Sequence, residues 1–169
     1  MVKQVIVVNK GLGMSKGKMA AQVSHASMAF MTRPFYMGKD SDLSNGIITP
    51  KDYLLNLSKD NPNLITPVLN NQNEIQGFQC GFYLDIDSID WLCGSFTKVI
   101  CEVKNENGLI KVVNKAIENG LIENKDFFKI IDEGRTEFDG IPTWTCIGFR
   151  PMPAEKIDII TKRLQLFKE

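Results

Sequence analysis

The hydrophobic pattern changes period along the chain, and each change marks an element. Gln4 to Val8 (QVIVV) is a continuous β-branched run, the signature of a strand buried on both faces of a parallel sheet. It breaks at the turn-like Asn9-Lys10-Gly11-Leu12-Gly13. Beyond the turn, Met19, Val23, Ala26 and Phe30 recur at i, i+4, i+7 and i+11. That spacing predicts one apolar stripe along a helix to about Met31, with Ser15 as N-cap and Pro34 ending it.

Further strands are predicted at Lys98 to Lys104, Phe127 to Ile131 and Thr143 to Phe149. A helical pattern from Asn107 to Asn119 stops at Gly120, and Pro153 opens a terminal helix to about Phe167. The order β-α-β-α-β-β-α contains two crossovers and then a short loop, so the sheet is expected to be mixed, partly parallel, with helices on its faces. Residues 33–97 do not fit this scheme. They are rich in Asn, Asp, Pro and Gly, with a short helix at Pro50 to Leu57 and apolar patches at Phe78 to Leu84. They read as a long ordered insertion in a single domain spanning residues 1–169. No internal repeat and no low-complexity tract interrupts the chain.

Charge changes the picture. The chain of 169 residues has 20 basic and 20 acidic side chains, a net charge of zero that at face value argues against a nucleic-acid partner. Residues 1–39 carry six basic side chains and no acidic one, residues 40–97 carry two and eight, and residues 98–169 carry 12 and 12. The zero is therefore a cancellation of +6 and −6, a polarity that can set a polyanion-facing surface apart from the rest; unlike segments packed beside one another would also produce it. Cys80, Cys93, Cys101 and Cys146 form no CxxC pair, and His25 is the sole histidine. No zinc spacing results, and reduced thiols in a cytoplasmic protein are expected. No stretch approaches the roughly 20 apolar residues of a membrane span, and the N-terminus lacks a signal-type cleavage site.

The densest chemistry is Gly11-Leu-Gly-Met-Ser-Lys-Gly-Lys18, between the first strand and the first helix. Glycines let a backbone approach an anion, and a helix N-terminus attracts negative charge. Lys16 and Lys18 oppose the helix macrodipole there, so an anionic ligand is the natural compensation. Lys18, Gln22 and His25 fall within roughly a 60° arc of the helix, either as a functional constellation or as a plain solvated face. Asp132 emerges where the third strand ends. If that strand and the first are parallel, Asp132 and the lysine-rich loop face one crevice, since ligands of open α/β sheets gather beyond the carboxyl ends of strands. A phosphate-binding loop with a magnesium-binding strand (KIIDE, 129–133) is the rival reading. Against it, the spacer from Gly11 to Gly17 is one residue too long, and Met19 stands where a magnesium-binding hydroxyl belongs.

These residues also resemble a known family. Met14-Ser-Lys-Gly-Lys-Met-Ala-Ala-Gln-Val-Ser-His-Ala26 after a VIVVN strand, Asp132-Glu-Gly-Arg-Thr-Glu137, and Ile147-Gly148 leading to Pro153-Ala-Glu-Lys-Ile-Asp158 are similar to the type 2 peptidyl-tRNA hydrolases. The likeness covers residues 3–32 and 91–168, in order, and includes Trp91 and Gly94. It implies a three-layer α/β/α fold with a mixed four-stranded sheet, commonly a homodimer, using neither an organic cofactor nor a metal. It also implies hydrolysis of the ester joining a peptide to the terminal ribose of tRNA, with Lys18, Gln22, Asp132 and Thr136 as functional residues and His25 nearby.

On that basis Asp132 is expected to orient or deprotonate a water, helped by Thr136, while Lys18 stabilises developing negative charge and Gln22 positions the carbonyl or the water. Lys10, Lys16 and Arg135 are expected to meet tRNA phosphates. His25 takes a secondary role, pairing with Asp132 or binding RNA. Two features depart from the family pattern: the acidic insertion is longer than the usual connector, and Gly11 stands where many members carry an acid. The competing function is a noncatalytic RNA-binding or regulatory protein of the same fold.

Overall fold

The computed structural model describes residues 1–33, 50–60, 62, 65–81 and 84–168. The chain divides into two compact units, residues 34–83 and the rest. The first unit takes up the strands predicted from sequence. Strand β1 (Val2–Asn9) runs into a single 3-10 turn (Lys10–Leu12) and then helix α1 (Lys16–Thr32). The second unit contains helix α2 (Pro50–Asp60) and an antiparallel hairpin of β2 (Ile65–Leu69) and β3 (Ile75–Cys80). The chain returns to the first unit with α3 (Ile86–Cys93), β4 (Lys98–Val103), α4 (Glu106–Glu118), β5 (Phe127–Asp132) and β6 (Thr143–Phe149). It closes with β7 (Met152–Pro153), α5 (Ala154–Thr161) and β8 (Gln165–Leu166).

The main sheet has the order β5-β6-β1-β4-β8, with β7 added to β1. Strands β1 and β4 pair parallel, whereas β6 is antiparallel to both β1 and β5. It follows that β5 runs in the same direction as β1, and their carboxyl ends lie at one edge of the sheet. Four long strands form the expected mixed sheet, and β7 and β8 add two residues each at its margins. Two apolar layers cover it. Val5 and Val7 face α4 and α5 through Leu109, Val112, Ala116, Ile157 and Ile160, and Ile6 and Val8 face α1 through Ala26, Met19 and Val23. The alternation of a pleated strand thus explains why β1 has no polar side: each face has its own helix layer.

Two features hold α1 against the sheet. Buried Gln4 donates to the carbonyls of Ser27 and Phe149 and accepts from the Ser27 hydroxyl. Gly148 lets the helix backbone come so close that a Cβ there would stand 2.2 Å from the Ala26 carbonyl oxygen. Gly148→Ala should therefore cost about 1–3 kcal/mol through overpacking, seen as a lower midpoint of chemical denaturation. An unchanged midpoint would show that α1 can slide away without loss.

Three expectations need correction. The terminal helix stops at Thr161 instead of reaching Phe167. The tail crosses from one layer to the other, with Leu164 packed on the α4/α5 side and Phe167 on the α1 side. A continuing helix could not reach both. Residues 84–97 belong to the first unit, where Trp91 is buried edge-on to Phe30 of α1 and donates to the Thr97 carbonyl. With the boundary there, the first unit has 17 basic and 15 acidic side chains and the second has 3 and 5. The +6 and −6 of the linear count do not map onto the two units. The expectations at residues 34–49, including Pro34 as helix terminator, lie outside the described residues.

Candidate active site

Four of the residues singled out from sequence, Lys18, Gln22, Asp132 and Thr136, converge at the edge of the sheet where β1 and β5 end. Ser15 caps α1, its hydroxyl accepting from the Lys18 amide at 3.3 Å. Lys18 lies one turn in, and its Nζ meets Asp132 Oδ2 at 2.7 Å and the Thr136 hydroxyl at 3.0 Å. One turn further, Gln22 donates through Nε2 to the same Asp132 oxygen at 2.7 Å. The other oxygen, Oδ1, accepts from the Gly134 amide at 2.8 Å. The i, i+4 spacing on α1 therefore places two donors on one carboxylate.

Part of the site is withdrawn from solvent: the side chains of Lys18 and Asp132 are 10% and 12% exposed and Gln22 is buried, whereas Thr136 is exposed. Burial by itself would raise the Asp132 carboxyl's pKa. The Lys18 ammonium and the amides of Gly134 and Gln22 outweigh it and hold the group below the usual carboxylate range. Asp132 is thus an anion at neutral pH, and Oδ1, with one protein donor among the described residues, keeps acceptor capacity for a water.

The loop after β5 is shaped to make these contacts. Gly134 sits at φ 78°, and a Cβ there would lie 2.6 Å from the Ile141 nitrogen and 2.7 Å from its oxygen. Only glycine fits that turn. Phe138 and Asp139 also have positive φ, 72° and 52°, and the Phe138 ring lies 5.6 Å from Lys18 Nζ. Glu137 reaches back to α1, accepting from the Ser15 hydroxyl at 2.5 Å and from its amide at 3.4 Å. The helix has no acid of its own in its first turn, so the anion expected at its N-terminus is supplied within the chain, by Glu137.

The glycine-rich loop is not an anion cradle throughout. Gly11 makes room for the Lys104 carbonyl, which a Cβ would approach to 2.0 Å, and Gly13 ends the 3-10 turn at φ 61°. The space around Gly17 is open.

His25 is exposed, and its side chain makes no hydrogen bond to Asp132. Seven residues of helix carry it about 10 Å along the axis from Lys18. The expected phosphate ligands differ in their surroundings. Lys10 pairs with Glu102 at 2.9 Å, donates to the Lys168 carbonyl and lies over the Phe167 ring. Arg135 is 83% exposed and pairs with Glu133 at 2.6 Å. A surface pocket lined by Lys10, Gly11, Glu102, Val103, Lys104 and Gln165 contains none of the groups around Asp132. Thr145 was not anticipated: it is fully buried, and its hydroxyl lies 2.8 Å from Gln22 Oε1. Strand alternation alone would not have pointed to it.

Among the described residues no group of three or more His, Cys, Asp or Glu gathers as it would around a metal ion. The four cysteines are free, and burial pushes the Cys146 thiol up to about 12. No helix among those residues is long and apolar enough to cross a membrane.

A family model described as "Peptidyl-tRNA hydrolase PTH2" matches residues 2–76 and 83–167. The chain belongs to this family. Among similar proteins are those named peptidyl-tRNA hydrolase from Sulfurisphaera tokodaii, 30% identical over 97% of each chain, and from Sulfolobus acidocaldarius, 26% identical over 98% of this chain and 99% of the relative. The protein of the same name from Methanopyrus kandleri is 29% identical over 99% of this chain and all of the relative. As a member of the peptidyl-tRNA hydrolase PTH2 family, the chain carries Lys18, Gln22, Asp132 and Thr136 in one hydrogen-bonded group.

Proposed function

We propose that this site hydrolyses the ester between a peptide, or an N-blocked aminoacyl group, and tRNA, releasing free tRNA. The observation that carries the reading is the single network of Lys18, Gln22, Asp132 and Thr136 in a chain of this family. Ester hydrolysis needs an oriented water, stabilisation of a tetrahedral oxyanion and a hold on the leaving ribose.

Asp132 Oδ1 accepts a hydrogen bond from the water, which attacks the ester carbonyl carbon. Lys18, already desolvated beside Asp132, turns its charge toward the oxyanion. Thr136 accepts from Lys18 and has its own proton left to donate. The water gives up one proton, which the ribose oxygen takes as its bond to the carbonyl carbon breaks, and the peptide's new carboxyl group releases the other to solvent and leaves as a carboxylate. His25, exposed and without a hydrogen bond to Asp132, is assigned to RNA contact.

Single-turnover assays with an N-acetyl-aminoacyl-tRNA test the reading. The ester should be cleaved by the wild type and survive in Asp132→Asn. Tight tRNA binding without cleavage by the wild type would instead establish the noncatalytic RNA-binding function.

Lys10, Lys16 and Arg135 are assigned to the phosphate backbone, so binding should weaken steeply with salt. The slope of log K against log salt should be about −2 to −3 for three phosphate contacts. Arg135→Ala should make it shallower by about 1, and a flat profile for the wild type would remove these residues from the interface. The resemblance also implies a homodimer, which sedimentation velocity reads directly. The free thiols fit a reducing compartment such as the cytoplasm.

A further inference from the structure

We propose that Thr145 is a positioning residue for the reaction: its hydroxyl fixes the Gln22 amide so that the NH2 group, and not the carbonyl, faces Asp132. The inference rests on the hydrolase reading of the site.

The geometry begins with a β-bulge. Strands β5 and β6 pair Ile130 with Cys146 and then Ile131 with Trp144, leaving Thr145 without a partner across the ladder. A bulge of this kind re-aims a side chain. Cys146 packs toward α1 beside Ile6, Val8 and Ala26, and Thr145 also reaches α1, at Gln22. Two consecutive residues of one strand thus point to the same helix layer, which a regular strand does not allow.

An ionised carboxylate only accepts hydrogen bonds, so an amide turned the other way would put its carbonyl oxygen 2.7 Å from Asp132 Oδ2. The observed orientation leaves Gln22 Oε1 buried and in need of a donor. Thr145 is that donor, at 2.8 Å, nearer than the alternative acceptor, the Ile130 carbonyl at 3.1 Å. Without the hydroxyl Gln22 Oε1 is left buried without its donor, and the hold of the amide on Asp132 weakens.

Other charged groups around Asp132 stay as they are. Lys18 on α1 and the Gly134 amide keep their bonds to it, Glu133 pairs with Arg135, Glu137 is held at Ser15, Lys10 pairs with Glu102, and β6 brings no charged side chain between Thr143 and Phe149. Lys16 and His25, the remaining ionisable groups on α1, lie outside the bonds Asp132 makes. Weakening a donor to the ionised form raises a carboxyl's pKa. The predicted change is therefore a move of Asp132's titration to higher pH.

Carboxyl carbon NMR titration of Asp132 and the pH profile of kcat/KM for N-acetyl-aminoacyl-tRNA, in Thr145→Val and Thr145→Ser, test the proposal. Thr145→Val should move the Asp132 midpoint and the acidic limb of the profile to higher pH, and lower kcat about tenfold with KM little changed. Thr145→Ser keeps a hydroxyl and should restore both midpoint and rate. A midpoint that does not move in Thr145→Val, or a serine variant as impaired as the valine one, overturns the assignment and reduces Thr145 to a packing residue. The titration needs no substrate, so it decides the inference even if the wild type fails to cleave the ester.

Discussion

Asp132→Asn should lower kcat/KM on a peptidyl-tRNA by at least about 100-fold, with the variant folded at the assay temperature by circular dichroism. A hundredfold is about 2.7 kcal/mol of transition-state stabilisation, within the range of a water-orienting base or an electrostatic partner. The substitution keeps the shape and removes the charge. It withdraws the counter-ion of Lys18 and leaves an amide where two donors, Lys18 Nζ and Gln22 Nε2, need an acceptor at 2.7 Å.

The pH profile separates the possible roles. Burial would raise this carboxyl, but Lys18, Gly134 and Gln22 hold it below the ordinary carboxylate range. The group is therefore ionised at every pH above that range, and kcat/KM should not fall through Asp132 protonation between pH 7 and about 5. It then acts by holding a water and by electrostatics, not as a base poised near neutrality. Turnover within a few-fold of wild type in Asp132→Asn would remove Asp132 from the mechanism.

Why some of this was legible in sequence and some was not has physical causes. Strand β1 and helix α1 announce themselves because each has a single period, and burial on both faces leaves no polar residue between Val5 and Val8. Lys18 and Gln22 were legible as one face of that helix, and Asp132 as the end of a strand running in β1's direction. Helix α3 was hidden, being only eight residues long, and its N-cap Asp85 looks like one more acid in an acidic stretch. Thr145 was hidden because a bulge shifts register without leaving a mark on composition. Glu137 was visible as part of a motif, but its place at the N-terminus of α1 depends on the left-handed turn at Phe138 and Asp139. Charge counting misled for a related reason: Asp85, Asp87 and Asp90 belong to the first unit, and two of them face Arg150.

Arg150→Ala should be the most destabilising single change in the first unit outside its apolar core, costing about 3 kcal/mol and about 6–12 °C in Tm. The Arg150 Nε donates to Asp126 Oδ1 at 2.8 Å, and its Nη1 pairs with Asp85 and reaches the Pro151 carbonyl. Both acids do a second job. Asp85 caps α3 through the Ser88 amide, and Asp126 accepts from the Ile122 amide. One guanidinium at the end of β6 therefore fastens the start of α3 and the turn before β5. Truncation leaves Asp126, 8% exposed in its side chain, with an uncompensated charge, and that desolvation is the main cost. Lysine should rescue only part of the loss, because a single ammonium cannot bond two carboxylates from two edges as the planar fork does.

Acid should close the gap. Burial alone would raise the Asp126 carboxyl, and Arg150 with the Ile122 amide brings it below its ordinary value. A depressed folded-state pKa stabilises above the unfolded value of about 3.9 and loses that contribution as pH falls through the folded one. In Arg150→Ala, burial acts unopposed by the guanidinium, and Asp126 takes up its proton at a higher pH than in the wild type. The difference in unfolding free energy should be constant from pH 8 to 6 and shrink steadily in acid. A difference that persists unchanged down to pH 3 would mean that Arg150 stabilises through its packing and its bond to the Pro151 carbonyl, and not through the charge of Asp126.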